Sequence, residues 1–160
     1  MPRQTTWLEQ AEAIHAAEAA RAFVVEERYV VQTVSSGRAL EFPAPDLTAS
    51  RLYLVNVTSS QWQDREAIAM HYRGLHGCRL TITAIEAARG DEPQPAHALK
   101  LVRTWPHRAY HFAVIADGMD PDRFASVADY AQASIAESMQ DRQDMRTAMA
   151  DARREARPCA

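Results

Sequence analysis

Between residues 51 and 116, apolar and polar side chains alternate in short runs, and this alternation limits the possible folds more than any other feature. In one run, Cys78, Leu80 and Ile82 would lie on one face of a strand, with polar residues between them on the other. A period of two residues is typical of strands with one packed and one wetter face. Five such runs occur, at 51–57, 67–72, 78–85, 98–105 and 109–115. With short turns between most of them, they predict an antiparallel β-meander.

A helix is predicted ahead of the sheet, over residues 6 to about 24. Thr6 and Glu9 have the spacing of a capping box, in which each side chain satisfies a free backbone N–H. The stripe at helical spacing consists of Trp7, Ala11, Ile14, Ala17 and Arg21. Residues 23–34, FVVEERYVVQTV, favour a sixth strand because they are rich in β-branched side chains. The prolines in FPAPDL, residues 42–47, predict an extended connector.

A second helix is predicted after the sheet. Asp120 is a helix cap, Pro121 suits the first helical position, and Asp122 favours the positive end of the helix dipole. Its apolar face consists of Phe124, Val127, Ala128, Ala131 and Ile135. The sequence therefore predicts one α+β domain over residues 1–136, with a helix at each end and about five or six antiparallel strands. Residues 137–160 are rich in charge and predict a solvated helix or tail.

Charge and hydropathy exclude several classes of protein. The net charge is −3, with 21 acidic against 18 basic residues, so no electrostatic basis for binding nucleic acid exists. The longest purely apolar run has five residues, whereas a membrane-spanning helix needs about 20. Glu9, Glu12 and Glu18 occupy the place where a signal peptide would carry its apolar core. As given, the chain is expected to stay in the cytoplasm.

Histidines and a cysteine in HYRGLHGCRLTI, residues 71–82, raise the possibility of a metal site. His71, His76 and Cys78 could bind zinc, with His107 or His111 from neighbouring strands as a further ligand. The spacing matches no recognised zinc pattern, and the remaining cysteine lies at the far end of the chain. We therefore predict no cofactor, with zinc only under this alternative.

The glycines in the same stretch have a simpler explanation. Gly74 and Gly77 flank Leu75 and His76 between two predicted strands. Glycine permits the positive φ angles that a tight hairpin turn requires. A β-hairpin therefore explains the segment without any metal chemistry.

Aromatic and imidazole side chains also cluster in WPHRAYHF, residues 105–112. Trp105, Tyr110 and His111, together with His71, could bind a small molecule or peptide on the sheet. Packing in the core is the commoner use of such aromatic residues. The predicted working surfaces are the sheet face that carries His71 and His111, and the loop from Glu86 to His97.

Catalytic patterns are weak throughout the chain. Ser59 and Ser60 lie in no nucleophile-elbow motif. The carboxylates of Asp64 and Glu66 are explained by a solvated loop, and no glycine-rich phosphate loop is present. The chain is therefore predicted not to be an enzyme.

Three segments resemble the extracytoplasmic sensor half of bacterial transmembrane anti-sigma factors. They are FPAPDLTASRLYLVNV, AIAMHYRGLHGCRLTITAI and YHFAVIADGMDPDRFASVADYA. In that family a Pro-Asp-Leu segment leads into a strand, here 45–47, and a strand ending in Tyr precedes a turn with Gly, here Tyr72 and Gly77. An Arg-Leu-Thr strand (79–81) and a helix with the pattern of residues 120–124 follow. The likeness covers residues 18 to 131.

This resemblance implies a sensory or regulatory domain outside the membrane, periplasmic if the chain is part of a longer protein. The family's cytoplasmic zinc-binding module and its membrane helix are not in this sequence, so no direct contact with a sigma factor is expected. The expected partners are proteins of a signalling pathway, and the oligomeric state stays open. A third possibility is self-association or partner docking through residues 137–160.

Overall fold

The computed structural model describes residues 5–22, 33–35, 41–92 and 101–155. It contains two α-helices, seven strands and a short 3-10 helix at Thr48–Ser50. In chain order the helices and strands are α1 (Trp7–Ala19), β1 (Thr33–Ser35), β2 (Glu41–Pro43), β3 (Tyr53–Trp62), β4 (Arg65–Arg73), β5 (Arg79–Glu86), β6 (Leu101–His107), β7 (Tyr110–Asp117) and α2 (Pro121–Glu155). The predicted α+β class, with a helix at each end of an antiparallel sheet, is confirmed.

Strands β3 to β7 form one antiparallel sheet, in the order β3-β4-β5-β7-β6. This order departs from a meander at one place, because β7 lies between β5 and β6. Strand β7 is buried along nearly its whole length, whereas β6 alternates between buried and half-buried residues. The more apolar strand takes the inner position, and β6, which follows β5 in the chain, takes the edge. Strands β1 and β2 form a separate two-stranded sheet.

The strand predicted over residues 23–34 falls largely outside the described residues, which include only its end, in β1. The segment FPAPDL, predicted as a connector, ends β2 at Pro43 and then continues without regular structure. Phe42 and Leu47 from this segment are buried in the main core. The Tyr72 hydroxyl donates a hydrogen bond of 2.8 Å to the Pro45 carbonyl and holds the segment on the sheet.

The two faces of the large sheet pack against different helices, whereas the period of two predicts one packed and one wetter face. One face packs on α2 and forms the larger core, which includes Tyr72, Leu80, Ile82, Phe112, Val114, Val127 and Ile135. The other packs on α1 and forms a smaller core, which includes Trp7, Leu8, Ala11, Ala67, Ile85, Ala113 and Ile115. The sheet is therefore covered on both sides.

Helix α1 begins as the sequence predicts. The backbone N–H of Thr6 donates to Glu9 Oε2 at 2.8 Å, and the N–H of Glu9 donates to Thr6 Oγ1 at 3.2 Å. Both halves of the capping box are present, so two of the N–H groups that a helix start leaves free are satisfied.

We expect Thr6→Ala to lower the free energy of unfolding by about 1 kcal/mol, because the hydroxyl acceptor of the cap is lost. The adjacent exposed Thr5 makes Thr5→Ala the matched control, with a change within about 0.5 kcal/mol. Urea denaturation of both variants measures the difference. Equal stability of the two would show that the cap contributes nothing.

The end and the buried face of α1 differ from the prediction. The helix ends at Ala19 instead of near residue 24. Guanidinium groups from the sheet bind its free carbonyls: Arg73 donates to the carbonyls of Glu18 and Arg21, and Arg79 to that of Ala19. The buried positions are Trp7, Leu8, Ala11, His15 and Glu18, so Ala17 and Arg21 of the predicted stripe are exposed.

Helix α2 follows the prediction at its start. Asp120 Oδ1 accepts the backbone N–H of Arg123 at 2.9 Å, and the five predicted apolar positions are buried. The helix then continues to Glu155, and from Gln140 onward only Arg142 is even half-buried. Met145 and Met149 are 65% and 71% exposed. Over the described residues, neither helix has the length and apolarity needed to cross a membrane.

Candidate functional site

The four residues predicted to bind a ligand lie on opposite faces of the sheet. His71 and His111 are on the α1 face, whereas Trp105 and Tyr110 are buried in the core under α2. Trp105 stacks on Phe112 with ring centroids 5.3 Å apart. The two aromatic residues therefore serve packing, and the four side chains form no common surface.

The five residues of the alternative metal site are also not brought together. Cys78 is buried on the α2 face, where its thiol donates to the Gly118 carbonyl at 3.0 Å. His76 is exposed in the turn between β4 and β5. His107 ends β6 on the α2 side, where burial and the nearby Arg108 charge lower its pKa. Within the described ranges, no three His, Cys, Asp or Glu side chains could hold a metal ion.

The hairpin explanation of the same stretch is confirmed for one glycine. Gly77 has a φ of 93°, which side chains rarely adopt. Gly74 has no positive φ but is tightly packed, because a Cβ there would lie 3.2 Å from the Cβ of Cys78. The two glycines thus have different roles: Gly77 permits a positive φ, and Gly74 permits close packing.

The main polar site is a buried row of five side chains between α1 and the sheet, which we call the histidine chain. Thr58 Oγ1 lies 3.0 Å from His71 Nε2, and His71 Nδ1 lies 3.1 Å from Thr81 Oγ1. The same Thr81 oxygen lies 2.7 Å from His15 Nδ1. His15 Nε2 lies 2.7 Å from Asp117 Oδ2. The chain thus runs from β3 through β4 and β5 to α1 and the end of β7.

Period-two geometry and strand register bring these residues together. His71 on β4 is paired with Thr81 on β5, so their side chains are neighbours on one face. His15 reaches the same threonine from α1, one helical turn beyond the buried Ala11. Asp117 lies at the end of β7, where half of its side chain is exposed.

Charged groups surround the inner part of this chain. Glu18 is buried and accepts a hydrogen bond of 2.8 Å from the Asn56 side chain. Burial lowers the pKa of His71 to about 4, against the opposing effect of the Glu18 charge. Its imidazole is therefore neutral at neutral pH.

The order Thr81–His15–Asp117 superficially matches a nucleophile, a base and an acid. Thr81 is only 2% exposed, however, and its hydroxyl is shared between two imidazoles. A groove of about 480 Å³ lies beside His15 and Asp117 and is lined also by Glu12, Arg79 and Leu101. The groove reaches the Asp117 carboxylate at one end of the histidine chain, whereas the Thr81 hydroxyl is buried within the fold.

A second polar cluster lies at the other end of the α1 face. Asp91 Oδ2 lies 2.7 Å from Arg65 Nη1 and 2.8 Å from His111 Nε2, and it accepts the Ala88 N–H at 2.9 Å. Trp7 stacks on His111 with centroids 4.8 Å apart. His111 thus contacts the loop after β5 through Asp91, which the sequence did not predict. Of the loop predicted as a working surface, residues 93–97 lie outside the described part.

The Asp91 carboxylate anchors this loop. Burial tends to raise its pKa, but the Ala88 amide, Arg65 and His111 outweigh burial and lower the pKa below the usual range. The charged form of Asp91 is therefore the one that the folded protein favours.

We expect Asp91→Asn to lower stability by about 1–3 kcal/mol, because Arg65 and His111 lose their charged partner. Trypsin should also cleave faster after the exposed Arg89, two residues away. Asp64→Asn is the matched control, since Asp64 is exposed and has a φ of 61°, which Asn tolerates. Equal cleavage rates in the two variants would contradict the anchoring role.

Sequence reasoning missed His15, Thr81 and Asp117 as a unit. A signal was available, because Leu8, Ala11, His15 and Glu18 follow helical spacing and include two polar residues on a buried face. Comparisons of the chain with protein-family models, with curated proteins and with solved structures found no match.

Proposed function

We propose that this chain is a non-catalytic sensory or regulatory domain that acts through a protein partner, comparable to the outer domain of a transmembrane anti-sigma factor. The observation that carries the proposal is the second half of α2. From residue 140 to 155 this helix extends along solvent with two methionines more than 60% exposed.

The exposed part of α2 has the features of a docking helix. Met145, Ala148, Met149 and Ala152 follow the spacing of one helical face. Flexible methionine side chains adapt to varied partner surfaces, and exposed apolar side chains are commonly used for protein contacts.

The polar sites of the described residues favour binding over catalysis. In the histidine chain and in the Asp91 cluster, the titratable groups bind one another. The one hydroxyl placed beside a His–Asp pair, that of Thr81, is buried. Such networks fix the position of α1 and of the loop after β5, which suits a domain whose conformation carries a signal.

The size and compartment of the native polypeptide test the anti-sigma part of the proposal. We expect an immunoblot of fractionated source cells to show a membrane-associated band clearly larger than 17.9 kDa. A band of 17.9 kDa in the cytoplasmic fraction would overturn that part.

Transcription tests the regulatory part independently. Deleting the gene should change the expression of a small, defined set of genes, and the double variant M145Q/M149Q should reproduce that change. A matched control is Q143A/T147A, which alters exposed positions on the same helix but outside the apolar face. Unchanged transcription after deletion would contradict a regulatory function.

A further inference from the structure

The histidine chain has a property that no single member shows: its hydrogen bonds can have only one consistent direction when both imidazoles are neutral. The Asp117 carboxylate only accepts, so His15 carries its hydrogen on Nε2. His15 Nδ1 is then an acceptor and takes the hydrogen of Thr81. The Thr81 oxygen in turn accepts Nδ1–H of His71, which leaves His71 Nε2 to accept from Thr58.

Each inner group in this arrangement donates once and accepts once. If a proton is added, the order can reverse as a whole without breaking any contact. His15 then donates through Nδ1 to Thr81, Thr81 donates to His71 Nδ1, and His71 donates through Nε2 to Thr58. The charge resides on His15, where the Asp117 carboxylate at 2.7 Å stabilises it.

A second proton would disrupt the hydrogen bonds of the histidine chain. If His71 were also charged, both imidazoles would donate to the Thr81 oxygen, and the Thr81 hydrogen would be left without an acceptor in a buried position. Two positive rings would also face each other across one hydroxyl. The hydrogen-bond order of the histidine chain therefore accommodates one added proton, and a charge on His71 breaks that order.

We propose that a proton relay runs through Thr58, His71, Thr81 and His15. It transfers a single proton from β3 at the edge of the sheet to His15, which lies beside Asp117. In the transfer, the half-buried Thr58 takes a proton from solvent and passes its own to His71 Nε2. His71 passes its Nδ1 proton to Thr81, and Thr81 passes its proton to His15 Nδ1. One proton enters, one positive charge appears on His15, and His71 is neutral before and after.

The surroundings fit this division of roles. The charged groups that face the chain are Glu12, Glu18 and Arg21 from α1, Arg73 from β4, Arg79 from β5 and Asp117 from β7. Strand β3 contributes the neutral Asn56 beside Glu18. Burial, His15 and the arginines all disfavour a charge on His71, whose pKa is lowered to about 4. His71 thus changes its tautomer and stays neutral.

The consequence lies at β3, which is one of the two edge strands of the large sheet. Before His15 takes up the proton, the Thr58 hydroxyl donates its hydrogen to His71. After His15 has taken up the proton, Thr58 accepts a hydrogen bond from His71. The hydroxyl hydrogen of Thr58 can then be donated to an acceptor outside the histidine chain. Protonation beside α1 would thereby change the hydrogen bonding of an edge strand on the far side of β4 and β5. This inference does not depend on the proposed regulatory function.

Nitrogen-15 NMR of the two histidine rings tests the relay directly, on the full chain with labelled histidine between pH 8 and pH 5. At high pH we expect His15 with its hydrogen on Nε2 and His71 with its hydrogen on Nδ1. Once the histidine chain has taken up its proton, His71 should have exchanged the shifts of its two nitrogens and should stay singly protonated. The proposal is overturned if His71 keeps its hydrogen on Nδ1, or becomes charged in the same step.

Two threonines on one strand provide the matched variants. Thr81→Val removes the shared hydroxyl and should abolish the exchange at His71. Thr83→Val is the control, because Thr83 is equally buried on the same face of β5 and its hydroxyl has no hydrogen-bond partner. Thr81→Ser restores a hydroxyl and should restore the exchange. An exchange that persists in Thr81→Val would show that the two rings change independently.

Discussion

Replacing Phe112 by alanine is expected to lower the free energy of unfolding by about 3–5 kcal/mol, the range for truncating a buried aromatic side chain. Phe112 on β7 is fully buried. It stacks on Trp105 from β6 at 5.3 Å and meets Phe42 from β2 edge-on at 6.1 Å. One truncation therefore removes contacts that join β6, β7 and the small sheet.

Chemical denaturation measures this loss, and Phe112→Leu gives a milder variant of the same site. Tyr130→Ala is the control, because Tyr130 is 53% exposed on α2 and its truncation should cost less than about 0.5 kcal/mol. If Phe112→Ala lost no more than Tyr130→Ala, the position of β7 inside the sheet would be wrong.

Acid is expected to destabilise the protein by about 3 kcal/mol through His71 alone. Its pKa is 6.5 in the unfolded chain and about 4 in the folded protein, because burial disfavours the charged ring. The unfolded state therefore binds the proton first. The stability is fully present above pH 6.5, falls as the pH drops toward 4, and levels off once the folded protein is also protonated.

The measurement is the free energy of unfolding in urea at several pH values, compared between the wild type and His71→Gln. The difference between the two should shrink as the pH falls below 6.5, since the glutamine cannot be protonated in this range. His76→Gln is the control for histidine content, because His76 lies in an exposed turn. A parallel fall in the wild type and in His71→Gln would contradict the assignment to His71.

Strand positions could be predicted from the sequence, whereas strand order could not. Alternation is local, so the runs at 67–72 and 78–85 lie within two residues of the ends of β4 and β5. The pairing of β5 with β7 instead depends on competition between strands that are far apart in the chain. In the assembled sheet β7 is buried more completely than β6, and this difference is not evident before the strands have paired.

The difference between local and long-range features also explains which site residues could be predicted from the sequence. His71, His76 and Cys78 were grouped because they are close in sequence, but strand geometry directs His71 and Cys78 to opposite faces. Thr81 and Asp117 were overlooked because their partner His15 comes from a helix far away in the chain. In α1 the capping box was readable, whereas the buried stripe was obscured by alanines on every side of the helix.

The contact between His15 and Asp117 has a consequence for synthesis of the chain. These residues are 102 positions apart, and β7, which the contact needs, follows the other four strands of the large sheet in the chain. Helix α1 therefore leaves the ribosome before every strand of the large sheet and completes its contacts late, because the smaller core is not complete until β7 has been made. During translation, the smaller core that buries Trp7 and Leu8 of α1 stays incomplete until about residue 117 has emerged. Of the two described helices, α1 is therefore the one that chaperones specific for exposed apolar helices can bind for the longer time.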